Sequence, residues 1–192
     1  MRFLFSHPIW FSLARLPFRR QKSGILPVQA PVLGQAVLTH IPAGRRTMDY
    51  MGCEIIALFN ALHFLGRERP LAELIQTYER RRWLLLGGHL GANPYAAGTY
   101  AKENGLPCRE FSGPKSHADF LKALQTPEDG VFLFSFWLGD TIFSGAHAVT
   151  VVRRNGQLWV YNLFNGQKAP LPVNDLRQLC LGHRFIVGYA FR

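Results

Sequence analysis

The order of elements in this chain predicts an α+β domain, with helices concentrated in the first half and an antiparallel sheet in the second. Three observations carry that expectation. An apolar run from Ile55 to Leu65 is bounded by Gly52-Cys53 at one end and by Gly66, a usual helix stop, at the other. A nearly continuous apolar run of buried-strand length spans Val131 to Leu138. Asn155-Gly156, a strong hairpin-turn signal, separates two further strands, Ala146 to Arg153 and Leu158 to Leu163.

Composition bounds the reading. With 192 residues and 48% apolar content, the chain can bury one full core as a single globular domain. The net charge of +10 is unevenly spread: residues 1–46 hold seven Arg and Lys and no acid, whereas residues 47–192 hold fifteen against twelve acids. Specific nucleic-acid binding needs a basic surface on the folded body, and this body is near balance, so no nucleic-acid partner is expected. Cys53, Cys108 and Cys180 form no CxxC pair and are odd in number, which fits neither a disulfide framework nor a zinc site. A reducing, cytoplasmic setting follows, with no metal and no cofactor expected.

Taken in order, residues 1–24 read as a basic, aromatic arm and residues 25–192 as one domain. The uncharged part of the arm, Phe3 to Ala14, is too short to span a bilayer, and its basic cluster follows the apolar part, unlike a signal peptide. Its composition suits peripheral contact with an anionic membrane; an arm laid over the core, or poorly ordered, is the simpler expectation. Residues 25–46 read as an extended lead-in with one short strand, Ala36 to Thr39. After the helix at Cys53, Pro70 to Arg82 predicts a second helix with an apolar stripe of Leu71, Leu74, Ile75 and Tyr78. Leu86 to Gly91 reads as a flexible loop. Asn93-Pro94 opens a helix to about Asn104, Leu106 to Phe111 a strand, and Ser116 a helix to about Gln125. Val173 to Leu179 predicts a short helix, and Phe185 to Phe191 a closing strand.

The helix from Cys53 is apolar nearly all round, through Ile55, Ile56, Leu58, Phe59, Leu62, Phe64 and Leu65, which places it inside the domain. Cys53 at its N-terminus is where the helix dipole and free N–H groups favour a thiolate; a buried small hydrophobe is the plainer reading. A nucleophilic thiol needs a base, and the base needs a group that fixes its ring. His147 begins one strand of the predicted hairpin and Asn162 ends the other, so antiparallel pairing brings them together. An Asn162 amide accepting from one ring nitrogen would leave the other for the thiol. Asn165-Gly166 competes for that role but reads better as a turn. Asp49, four residues before Cys53, is a candidate for capping the approach to the helix or for contacting substrate. His89, in its Gly-rich loop, is a candidate for lining a cleft, with a solvated loop histidine as the simpler reading. Cys108, Cys180 and His63 read as packing or edge residues, and Asp140 and Asp175 have no partner at ligand spacing.

These pieces carry a resemblance. Gly52-Cys53-Glu54-Ile55-Ile56-Ala57 with Asn60-Ala61-Leu62, the stretch from Gly87 to Tyr100, and His147-Ala148-Val149 with Tyr161-Asn162 resemble the papain-like cysteine peptidases. Within that group they are most similar to the bacteriocin-processing, double-glycine-peptidase-like branch. The resemblance covers about residues 47–166. It implies a helical half facing a sheet half, with thiol and imidazole across a cleft and a Cys53, His147, Asn162 triad acting on a peptide or protein substrate. That family carries a glutamine six residues before the nucleophile as half of its oxyanion hole; this chain has Thr47 there, a shorter donor. Losing one such donor typically costs ~10²–10³ in rate. Three readings follow: a cysteine peptidase-like hydrolase, an acyltransferase using the same thiol, and a catalytically impaired binding or maturation module.

Overall fold

The computed structural model describes residues 28–113, 116–139, 144–164, 166–174 and 184–191. The arm over residues 1–24, Asp140, Asp175 and Cys180 lie outside them. In chain order the elements are β1 (Pro42–Ala43), β2 (Arg46–Thr47), α1 (Met48–Met51), α2 (Cys53–Phe64), α3 (Leu71–Arg80), α4 (Ala96–Glu103), β3 (Cys108–Ser112), α5 (Ser116–Leu124), β4 (Gly130–Trp137), β5 (Ala146–Arg154), β6 (Gln157–Tyr161), β7 (Leu171–Val173) and β8 (Phe185–Phe191). The larger sheet has six strands in the order β3-β8-β4-β5-β6-β7, every neighbouring pair antiparallel. The chain is therefore α+β. Among the described residues no helix is long and apolar enough to cross a membrane.

The sheet is covered on both faces, which is why β4 and β5 read as continuous apolar runs and do not alternate. On one face lies α2, with Ile55, Ile56 and Leu58 in the same core as Leu133, Ala148, Val187 and Tyr189. On the other lies α5, whose Phe120 and Leu124 pack with Phe132, Phe134, Phe136, Val149 and Val151. A methyl group at Gly188 would come within 2.6 Å of the Phe120 ring, so glycine there lets α5 approach the sheet closely. Buried Arg153 caps the far end of α5: its Nε donates to the Leu124 carbonyl at 3.1 Å and its Nη1 to the Gly156 carbonyl at 3.0 Å.

Three local expectations change. The strand expected over Ala36 to Thr39 is a 3₁₀ turn, Gln35–Leu38. The lead-in finds its partners in side chains: Val32 N–H donates to Asn60 Oδ1 at 2.7 Å, and Asn60 Nδ2 returns to the Val32 carbonyl at 2.8 Å. The Asn162 N–H donates to the Leu33 carbonyl at 2.9 Å. With its backbone groups met in this way, the segment needs no strand neighbour. The loop at Leu86 to Gly91 is a hydrogen-bonded turn; Leu86 and Gly87 take left-handed conformations and the Gly87 carbonyl accepts from Arg45 N–H at 2.8 Å. Residues Leu171–Val173 form edge strand β7, so the helix expected from Val173 does not begin there, and its continuation lies outside the described residues.

Candidate active site

Cys53 opens α2. Gly52 joins α1 to α2 in a right-handed helical conformation (φ −82°, ψ 0°), and a side chain at residue 52 would run into the Met48 carbonyl. That close join sets the first turn of α2 against the start of β5. Thr150, further along β5, donates from Oγ1 to the Ala57 carbonyl at 2.8 Å and fixes the helix one turn deeper.

The Cys53 sulfur meets the Ala146 carbonyl at 3.8 Å, next door to His147. The His147 imidazole is buried, and its Nε2 lies 2.6 Å from the Asn162 carbonyl oxygen. A carbonyl only accepts, so Nε2 carries the hydrogen and Nδ1 keeps the free lone pair. Strand alternation gives the two groups different approaches. Ala146, Ala148 and Thr150 take the α2 side, whereas His147 stands on the other side, its ring 5.8 Å edge-on from Phe136. Pairing of β5 with β6 begins only at Thr150 and Tyr161, and the chain turns away at Asn162 with φ 61°. The thiol thus lies against the start of β5 on its α2 side, while the imidazole leaves the next residue of the same strand on the opposite side. Among the described residues no hydrogen bond joins them.

Two expectations are corrected here. The orienting group for His147 is the backbone carbonyl of Asn162 and not its amide. The amide is committed to the lead-in: Oδ1 accepts from Gln35 N–H at 2.9 Å, and Nδ2 donates to Gln35 Oε1 at 3.4 Å. The Cys53 thiol is also not lowered. Part of the residue reaches solvent, but burial of the sulfur is the largest influence, followed by the neighbouring Glu54 carboxyl; together they push it up to about 12. Backbone N–H groups at the helix start and at Ala148 pull the other way and do not win. Burial also lowers His147 below the ordinary imidazole value, against an upward pull from the Asn162 and Leu163 backbone. Thiol and imidazole are therefore both uncharged at neutral pH.

Thr47 precedes α1, half-buried, and its hydroxyl makes no capping bond. Asp49 Oδ1 is buried without a hydrogen-bond partner, while its carbonyl accepts from Gln35 Nε2 at 2.6 Å. His89 is exposed; Arg46 donates to its Nδ1 at 3.0 and 3.2 Å, the guanidinium stacks 4.9 Å over Tyr50, and the Tyr50 hydroxyl reaches the His89 carbonyl at 3.5 Å. Exposed apolar side chains among the described residues include Tyr50 in α1, Leu86 and Leu90 in the turn after α3, and Leu138 and Phe164 just past β4 and β6. Among the described residues no cluster of His, Cys, Asp and Glu is placed to hold a metal.

Sequence reasoning missed Gln35 and Glu54. Gln35 ties the lead-in to both Asn162 and α1, a contact with no local signature. Glu54 does have one: a carboxylate inside an otherwise apolar helix marks a residue that must find buried partners. No family model matches the chain, and no curated protein matches it.

Proposed function

We propose that this chain is a papain-like cysteine hydrolase that attacks a peptide or amide carbonyl with Cys53. The observation that supports the reading is that the Cys53 sulfur touches the Ala146 carbonyl, one residue from His147, whose ring the Asn162 carbonyl holds in one tautomer. Both groups are uncharged at neutral pH, so the mechanism is general-base attack and not reaction of a preformed ion pair. The thiol leaves the Ala146 carbonyl, its proton passes to His147 Nδ1, and sulfur bonds to the acyl carbon. The Asn162 carbonyl then steadies the imidazolium through Nε2–H. The oxyanion faces the N-terminus of α2, where the Cys53 N–H points, with the Thr47 hydroxyl as a candidate second donor. Collapse expels the amine, which takes the proton from His147, and water then hydrolyses the thioester.

A second reading, a binding or maturation module on the same scaffold, is favoured by the sulfur's bond to Ala146 and by the raised thiol. An activated peptide ester separates the two. The hydrolase forms a thioester on Cys53, seen as a mass increment on the peptide carrying that residue and absent from Cys53→Ala. A folded wild-type chain that gains no such increment supports the module instead.

A further inference from the structure

Glu54 follows the nucleophile directly, yet the reaction above does not use it. Its side chain is 2% exposed, inside the core that α2 shares with the sheet. Its Oε2 accepts from the Ser135 hydroxyl at 3.0 Å, a backbone group of Ala97 in α4 also bonds the carboxyl, and Oε1 is buried without a partner. Ser135 sits directly opposite Ala148 in the β4–β5 ladder, and the next pair is Phe136 opposite His147. One carboxyl therefore links the first turn of the nucleophile helix to the two strands that present the imidazole. The titratable groups facing it are Cys53 on its own helix, Tyr78 on α3 and Tyr189 on β8, with Tyr100 of α4 beside Tyr78. The Tyr78 hydroxyl is likewise buried without a partner.

We propose that Glu54 governs the reacting thiol: through Ser135 it fixes the first turn of α2 on the β4–β5 pair, and when it ionises it holds Cys53 in the protonated form. At neutral pH the carboxyl is uncharged, because burial raises it to about 8 against the pull of the Ser135 and Ala97 bonds. Above that, a carboxylate one residue from the sulfur opposes a second negative charge. Glu54 is a positioning residue, since it acts through Cys53 and touches no substrate.

The proposal rests on Cys53 as the reacting thiol, and its test needs no substrate. The rate of Cys53 alkylation by iodoacetamide is measured from pH 6 to 10 on the full chain, for wild type, Glu54→Gln and Ser135→Ala, with the site read by peptide mass spectrometry. Glu54→Gln keeps an acceptor for Ser135 and cannot ionise. Its rate should match wild type at pH 7 and exceed it about ten-fold at pH 10, the effect of one nearby charge. Ser135→Ala removes a bond that favours the carboxylate, so the shoulder near pH 8 in the wild-type profile should move to higher pH. A Glu54→Gln profile superimposed on wild type overturns the proposal. So does a Ser135→Ala shoulder that stays in place, which decides the matter even where Glu54→Gln does not fold. A chain that shows these profiles yet never forms a thioester keeps this proposal and loses the hydrolase.

Discussion

The two faces of the sheet are held by different physics. The α5 face is a stack of rings: Phe120 lies 5.5 Å from Phe134, 5.6 Å from Phe111 and 5.7 Å from Phe185. The α2 face is apolar too, but two buried hydrogen bonds pin α2 to the sheet, Ser135 to Glu54 and Thr150 to Ala57, and Asn60 ties the helix to Val32 of the lead-in. Apolar contact is non-directional and tolerates small slips; a buried hydrogen bond is lost by them. The face that carries Cys53 is thus held along its helix and is also the larger core, whereas on the ring face the buried bond from Arg153 to the Leu124 carbonyl holds only the end of α5.

The largest break in this contrast is Phe120→Ala. It leaves a cavity on the ring face and should cost about 3–5 kcal/mol, read as a lower urea midpoint. Below the transition, the pH profile of Cys53 alkylation should match wild type; a changed profile would mean that the two faces are not separable. Next is the pH dependence that Glu54 imposes on stability. Its folded value of about 8 stands above the ordinary 4.5, so its contribution is full below pH 4.5 and is lost as pH rises through 8. Glu54→Gln should flatten that fall, worth on the order of a few kcal/mol. Denaturant midpoints at pH 5, 7 and 9 check it, and equal slopes in both proteins would sink it. The smallest effect is Thr150→Val, which keeps shape and removes one pin; it should cost about 1 kcal/mol by denaturant titration.

What the sequence displayed and what it hid divide along the same line. The helix at Cys53, its stop at Gly66, strand β4 and the hairpin at Asn155-Gly156 were legible, because apolar period and turn chemistry are local signals. The pins were not, because Glu54 and Ser135 are 81 residues apart and Gln35 and Asn162 are 127 apart. Asn162 was found, but for its amide; a left-handed residue that aims its carbonyl at His147 while its amide serves the lead-in has no sequence signature. The thiol was misjudged for a related reason. A helix N-terminus is visible in the sequence, whereas the burial that outweighs it is a property of the packed chain.

The central claim is that neutral His147 takes the proton of Cys53, and the pH dependence of single-turnover acylation by a peptide ester tests it most directly. For the wild type, the rate should rise as a group ionising below the ordinary imidazole value of 6.5 loses its proton, because burial favours the neutral ring, and should then stay level to about pH 8. On that level part His147→Ala should fall by roughly 10²–10⁴, the usual contribution of a positioned general base. Equal rates in the two proteins, each climbing steadily with pH as a free thiolate does, would contradict the account.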